Sequence, residues 1–489
     1  MSSFKASYYN RVVDHRDAAL LFNGASGALV QLEAPTAALL APFLGPERPK
    51  TAGEGLADWH PTPFAESDLP VEIRPLLRDF LEGGFFVSAG LDEQQALRQR
   101  LRGGSHGTSL YARITTTMSC NYACYYCFED KSATHLTRPG CDAIFDWMRD
   151  QLDGHGYHAI FTDWFGGEPM LNQTAINYLS ERLIAEAEAR SLHYESAITC
   201  NGSLWPEDAR GFVHRNRIAK VQLTLDGPPE HHRKRRRDRR DGAEDSFDAI
   251  LRVVDEIHTD TKVVLRINVD PGMGDEVLDL IPFFQERGWL SGRSRVSPYL
   301  ALIGPMTTHC GNLDNGRFRD FRIRFGALNQ EFRHRLARPA RASVTPRLPP
   351  FPQPLSTPCS AVTGSSVIFG PDGRMYRCVL DVGHAAMAHD ALLPVAEGAQ
   401  AGCCGTRARR PQDKETEAKP HPYLDYDPVG NARCGQCQYL PVCLGGCPKD
   451  QFEKNSFYIE ERGAYWESNL DELLRMHADR TGEPALVGA

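Results

Sequence analysis

No stretch of this 489-residue chain approaches the roughly 18 consecutive apolar residues that a membrane span requires, which excludes an integral membrane protein. The opening residues, Met1-Ser2-Ser3-Phe4, carry no apolar core or small-residue cleavage site, so no secretory signal is expected and the cytoplasm is the expected compartment. A basic excess is missing too. With 55 Lys and Arg against 63 Asp and Glu the net charge is −8, which argues against a general nucleic-acid binder. Fourteen cysteines are too sparse for a disulfide-stapled scaffold. Nor is there an internal repeat of a solenoid's period. What remains is an ordinary globular composition, 41% hydrophobic and 24% charged, long enough for two to four domains of roughly 100–200 residues.

The cysteines that are present cluster. Cys120, Cys124 and Cys127 form one group, and Cys359, Cys378, Cys403, Cys404, Cys434, Cys437, Cys443 and Cys447 crowd the C-terminal third. Cys141, Cys200 and Cys310 stand apart. Clustered cysteines in a reducing compartment read as metal ligands before they read as disulfides.

Three short β-type runs, Ser7–Val13, Ala18–Phe22 and Ala28–Leu32, precede helical patterns near Pro35–Phe43 and Pro70–Leu81, predicting a small β–α domain over 1–105. Over 106–310 the pattern alternates. Strand-like runs at Leu110–Thr117, Ala159–Trp164, Tyr194–Thr199, Lys220–Leu225, Lys262–Val269 and Arg295–Ile303 are mostly separated by helical patterns. That alternation predicts an α/β fold with a parallel sheet, open or barrel-shaped, short of a complete eight-unit barrel. A Pro- and Arg-rich connector is expected at 311–358, then a cysteine-rich domain at 359–489 with an insertion at 384–433.

The run Thr117-Met118-Ser119-Cys120-Asn121-Tyr122-Ala123-Cys124-Tyr125-Tyr126-Cys127 follows the first strand of this domain with a CxxxCxxC spacing. One loop can wrap a metal centre with three thiolates. Structural zinc wants a fourth ligand, and none lies close by, although a distant one stays open. Three thiolates on a four-iron cluster would leave one iron uncovered, and catalysis needs such a position. The next strand ends in Gly166-Gly167-Glu168-Pro169, where paired glycines allow a ligand to approach the backbone.

In combination these residues resemble the radical S-adenosylmethionine (radical SAM) enzymes, over roughly residues 108–305. The resemblance implies a partial (β/α)6 barrel and a [4Fe–4S] cluster on Cys120, Cys124 and Cys127, with Tyr126 as the aromatic residue before the third cysteine. It implies that Gly166, Gly167 and Glu168 lie against the amino group of S-adenosylmethionine. It continues through Ile198-Thr199-Cys200-Asn201-Gly202 and Leu223-Thr224-Leu225-Asp226-Gly227, leaving Cys200 as a packed strand-end residue and Asp226 near the site without an assigned acid–base role. Arg235 is the position aligned with an arginine that reaches the cofactor's carboxylate. The rest of the basic run, Arg233 to Arg240, is expected to be a solvated loop or helix end.

The C-terminal pattern Cys434-x2-Cys437-x5-Cys443-x3-Cys447, taken alone, reads equally as a zinc ribbon. Preceded by Cys359, Gly373 and Cys378, it resembles a SPASM domain, the auxiliary-cluster domain of peptide- and protein-modifying radical SAM enzymes. The resemblance implies one auxiliary [4Fe–4S] cluster on Cys359, Cys378 and Cys447 and a second on Cys434, Cys437 and Cys443. Two cysteines of the usual pattern are missing. Asp450, Cys403, Cys404 or a substrate thiolate are the candidate replacements, and whether one or two auxiliary clusters form stays open. Cys141 and Cys310 are expected to be structural.

The N-terminal β–α unit, through Phe22-Asn23-Gly24-Ala25-Ser26-Gly27-Ala28-Leu29-Val30, resembles the winged-helix-like domains that recognise precursor peptides in ribosomal peptide maturation; a plain structural cap is the competing reading. Together the resemblances imply a peptide maturase. It would cleave S-adenosylmethionine reductively to a 5′-deoxyadenosyl radical, abstract hydrogen from a precursor peptide and leave a cross-link or another oxidised side chain. A flavodoxin- or ferredoxin-type reductant would serve it, with neither nucleic acid nor membrane as a partner. A sulfatase-maturing (formylglycine-forming) enzyme and a non-catalytic iron–sulfur or zinc scaffold that binds peptides are the alternatives.

Overall fold

A computed structural model describes residues 3–45, 59–104, 107–240, 245–303, 315–337, 352–393, 421, 423–453 and 456–481. Cys310, Cys403, Cys404 and most of the expected insertion lie outside the described residues. The chain packs as two compact units, one of Met1–Gly107, Leu348–Gly364 and Lys419–Ala489, the other of Thr108–Arg347 and Ser365–Ala418.

In the first unit the N-terminal strands are β1 (Ser3–Ala6), β2 (Asn10–His15), β3 (Ala18–Asn23), β4 (Leu29–Glu33), β5 (Phe64–Ala65) and β6 (Phe86–Ser88), joined by helices α1 (Ala34–Leu40), α2 (Leu77–Glu82) and α3 (Glu93–Gly104). They form two antiparallel sheets, β2-β3-β4 and β5-β1-β6. β3 is apolar on both faces because both are covered. Leu20 and Phe22 enter one core and Leu21, pointing the other way, enters a second with Phe64, Phe80 and Phe86. The three strand-like runs expected here correspond to β2–β4, while β1, β5, β6 and α3 went unread.

The second unit runs β7 (Ser109–Thr117), α4 (Arg138–Gly154), β8 (Ala159–Gly166), α5 (Gln173–Ala189), β9 (His193–Cys200), α6 (Ala209–Arg215), β10 (Ile218–Thr224), α7 (Pro229–Arg235), α8 (Ser246–Ile257), β11 (Lys262–Val269), α9 (Leu280–Glu286), β12 (Val296–Leu302) and α10 (Asn315–Ala337). The six strands pair in parallel in the order β12-β11-β10-β9-β8-β7, as the alternating pattern predicts. Side-chain caps set helix starts. Thr137 accepts from the Gly140 N–H before α4, and Asp245 accepts from Phe247 and Asp248 before α8.

The sheet does not stop at β7. β13 (Ser366–Phe369) pairs in parallel with it, followed by β14 (Arg374–Tyr376) and β15 (Asp390–Ala391) in antiparallel succession. The hairpin expected at Asp372-Gly373 is there, with Gly373 at φ 79°. Its first strand is buried along its whole length, so it covers an edge the six-strand sheet would otherwise leave open. Cys378 follows β14 at the start of a short 3-10 turn, not within a strand. The chain returns to the first unit through α11 (Leu440–Cys443), α12 (Pro448–Phe452) and α13 (Ser456–Thr481).

Candidate active site

The C-terminal ends of β7 and β8 meet backbone to backbone. The Gly167 N–H donates to Thr117 O at 3.0 Å and the Glu168 N–H to Ser119 O at 2.9 Å, one residue before Cys120. A Cβ on Gly166 would stand 2.2 Å from Thr117 O, and one on Gly167 would stand 2.3 Å from Ser119 O. Gly166 also sits at φ 127°, a conformation side chains disfavour. Only glycine allows this approach. The expected role of the pair, exposing backbone to a ligand, is thus joined by a second one: it lets β8 abut the thiol loop.

Cys120, Cys124 and Cys127 are all half-buried on that loop, and the Cys127 N–H donates to Cys124 O at 3.3 Å. Cys120 Sγ accepts from the Tyr122 N–H at 3.4 Å. Burial pushes the Cys120 thiol up to about 11, opposed first by Lys131, and burial raises Cys127 likewise. Lys131 Nζ donates to Tyr122 O at 2.5 Å and ties the outgoing chain to the loop.

Glu168 is fully buried, with one carboxylate oxygen accepting from the Met170 N–H at 3.0 Å and the other from the Asn201 N–H at 2.6 Å. Burial pushes its carboxyl up to about 7 against those two hydrogen bonds. The side chain therefore bridges the ends of β8 and β9. Asn201 Nδ2 donates to Asn121 Oδ1 at 2.8 Å, and Asn121 Nδ2 donates to Ser203 Oγ and Asp238 Oδ2, each at 2.9 Å.

The basic run departs from the solvated loop expected of it. The Ala123 N–H donates to Arg237 O at 2.9 Å and the Arg239 N–H to Asn121 O at 2.8 Å, so the run's backbone pairs with the cysteine loop. Arg235 and Arg236 are buried, while Arg233, Lys234, Arg237 and Arg239 face out. Arg235 Nη2 lies 3.1 Å from Asp270 Oδ2, and its Nε lies 4.0 Å from Asp226 Oδ2. Arg236 Nη1 donates to Tyr126 Oη at 2.8 Å, and the Tyr126 hydroxyl donates to Asp226. Buried Asp226 also accepts from the Asn268 N–H at 3.0 Å, and its own N–H donates to His232 Nδ1 at 3.1 Å. Burial, then the neighbouring arginines, hold His232 well below its usual range, so the ring stays neutral. Arg236, Asn121 and Asn201 were missed from the sequence. The spacing of His232 and Arg236, four residues apart at a helix end, was the available signal.

The structure thus gathers Cys120, Cys124, Cys127, Tyr126, Gly166, Gly167, Glu168, Asp226 and Arg235 around the C-terminal ends of β7–β11. Cys378 shares this unit. Its flanking residues Tyr376 and Val382 pack with Met118, and His384 lies 3.6 Å from Asp130. Cys141 and Cys200 are buried core residues, as expected; the Trp205 Nε1–H donates to Cys200 Sγ at 3.2 Å.

Cys359, Cys434, Cys437, Cys443 and Cys447 belong to the other unit. Cys359 is exposed, Cys434 and Cys437 are each 8% exposed, and Cys447 caps α12, which carries Asp450 in its first turn. Between Cys443 and Cys447 the chain turns through three successive left-handed residues, Leu444, Gly445 and Gly446. Burial pushes Cys437 up to about 12, opposed by the Tyr439 N–H; the neighbouring thiols Cys443 and Cys434 add to the rise. Among the described residues no three His, Cys, Asp or Glu side chains converge as a single ion would need. A multi-iron cluster holds its thiolates apart on separate irons and asks for no such convergence. Three thiols on one short loop, in each unit, fit that requirement.

A thiol loop at the C-terminal edge of a parallel β/α sheet, locked to a Gly-Gly strand end, lies where parallel α/β sheets place their ligands. The sequence model of the radical SAM superfamily matches residues 114–283, and the chain carries a radical SAM domain there. That superfamily implies an enzyme that uses S-adenosylmethionine. No curated protein matches the chain. Among solved structures, native anSMEcpe with bound AdoMet aligns at a TM-score of 0.53 with 15% identity, over 76% of this chain and 99% of its own, which establishes a shared fold. The same protein with bound AdoMet and Cp18Cys peptide aligns at 0.49 with 16% identity over the same shares. Streptococcus suis SuiB bound to precursor peptide SuiA aligns at 0.40 with 12% identity, over 91% of this chain and 95% of its own.

Proposed function

We propose that this chain is a radical SAM peptide maturase. The observation that carries the reading is the lock between the thiol loop and the Gly166-Gly167 strand end. It sets three half-buried thiols beside the half-buried backbone of Gly166 and Gly167, and a protein of the same fold is described with AdoMet bound. Cys120, Cys124 and Cys127 would hold a [4Fe–4S] cluster. When bound, the cluster and S-adenosylmethionine supply a 5′-deoxyadenosyl radical that removes a hydrogen atom from the substrate.

The chain's own residues position and enclose. Glu168, each of whose oxygens accepts one backbone N–H, holds β8 to β9, and its remaining lone pairs together with the backbone of Gly166 and Gly167 would meet the cofactor's amino group. Tyr126, clamped between Asp226 and Arg236, cannot swing freely and presents its ring beside the cysteines. Asp226 accepts on both oxygens and braces this clamp. Arg235 and Arg236 bring buried positive charge for an anionic group.

The peptide substrate rests on the N-terminal sheets, where a strand could be added in the manner of other peptide-binding edges. Cys359, Cys378 and Cys447, with Cys434, Cys437 and Cys443, are the ligands of one or two auxiliary clusters that would accept the electron left after hydrogen abstraction. A flavodoxin- or ferredoxin-type protein is the reductant.

The test is incubation of the reduced, iron-loaded protein with S-adenosylmethionine and short peptides encoded beside its gene. A product lighter by two hydrogens supports the reading. A peptide that binds and triggers 5′-deoxyadenosine formation yet leaves unchanged in mass contradicts it.

A further inference from the structure

One side chain in the C-terminal thiol loop is aimed at a sulfur. Gln451, in α12, donates from Nε2 to Gly445 O at 3.1 Å and to Cys434 Sγ at 3.6 Å, and its Oε1 accepts from Asn431 Nδ2 at 3.0 Å. Asn431 is itself fixed, since its Oδ1 accepts from the N–H groups of Arg433 and Cys434, each at 3.0 Å. The amide therefore has one orientation. With its oxygen taken by Asn431 and one N–H by Gly445, the remaining N–H faces the sulfur. Cys434 is 8% exposed, so water offers the sulfur little alternative.

A neutral thiol is a poor acceptor, and a network of two amides is an expensive way to satisfy one. A thiolate is a strong acceptor. Hydrogen bonds to cluster sulfurs stabilise the added negative charge of the reduced state and so raise the reduction potential. We propose that Gln451 is a positioning residue for the auxiliary centre on Cys434, Cys437 and Cys443, raising its potential through an N–H···S bond to Cys434. The proposal rests on the reading of those cysteines as iron–sulfur ligands. Its consequence is directional: an auxiliary centre that takes an electron from a substrate radical works better at higher potential.

The experiment is a redox titration of the full iron-loaded chain followed by electron paramagnetic resonance, with iron counted per chain. In Gln451→Leu one auxiliary signal should move to a more negative midpoint with its iron retained, while the signal lost in Cys120→Ala keeps its midpoint. An unmoved midpoint at full iron overturns the proposal. Should the leucine variant lose iron, the isosteric Gln451→Glu decides: it should be more negative than wild type, and an equal or higher midpoint overturns the assignment. Cys434→Ala alone, with Gln451 intact, removing no iron refutes the underlying ligand reading instead.

Discussion

The two thiol loops of this chain are held by different means. The loop at Cys120–Cys127 is gripped by backbone: Thr117 and Ser119 by the β8 strand end, Asn121 and Ala123 by the basic run. Its three cysteines are half-buried and Tyr125 is 56% exposed, while Asn121 and Tyr126 are fixed by side-chain hydrogen bonds. The loop at Cys434–Cys447 is gripped by side chains. Cys434, Cys437, Tyr439, Leu440 and Val442 share one core with Tyr8, Leu20 and Phe22 from the N-terminal strands and Leu470 and Leu474 from α13. Tyr8 Oη donates to Gln436 O at 2.5 Å and Gln94 Nε2 to Gly435 O at 2.6 Å. Backbone clamping leaves a centre open to a second ligand, as chemistry requires. Embedding in a core suits a centre that only passes electrons or braces the fold around it.

That contrast can be broken by mutation. The largest effect expected is from Cys124→Ala, which should reduce 5′-deoxyadenosine to background while iron at the other cysteines persists; Cys437→Ala should cost iron without removing S-adenosylmethionine cleavage. Next comes Gly167→Ala, whose Cβ would meet Ser119 O at 2.3 Å. It should cost about 3 kcal/mol or more and empty the first loop alone, read by iron content and thermal melting. Tyr8→Phe leaves the Gln436 carbonyl without its donor and should cost about 1–3 kcal/mol, with faster amide exchange across both β2–β4 and the 434–447 loop but not at 117–127.

The pH dependence separates the units further. His232 is held neutral, so its folded-state pKa lies below the unfolded value of 6.5. Its contribution is present above that value and lost as pH falls, at up to about 1.4 kcal/mol per unit. Because Glu168, pushed up to about 7 by burial, contributes in the opposite direction over the same window, the His232 part should be read between pH 7 and 5 as the difference in melts between wild type and His232→Gln. The smallest effect is expected from Arg11→Ala, which removes a partly exposed bidentate pair with Asp471 and should cost about 1 kcal/mol, less at high salt.

The six strands of the radical SAM unit were legible because each apolar run is local and separated by helical periodicity. CxxxCxxC and Gly166-Gly167 were legible because three thiols at short fixed spacing and a close backbone approach each restrict residue type. The basic run was misread for a physical reason. Its chemistry is in backbone pairing with Asn121 and Ala123, which side-chain charge does not report, and its two buried arginines look like their exposed neighbours. The joining of Tyr8 to Gln436, or Arg11 to Asp471, spans over four hundred residues and leaves no periodic trace. The β13 strand is the same case: nothing local says which sheet edge Ser366–Phe369 will cover.

One anaerobic assay tests for radical chemistry most directly. Iron-loaded protein with a reductant and S-adenosylmethionine, alone and with a candidate peptide, should yield 5′-deoxyadenosine that disappears in Cys124→Ala. A protein with full iron at Cys120, Cys124 and Cys127 that forms none, with or without peptide, would contradict the central claim and leave an iron–sulfur scaffold in its place.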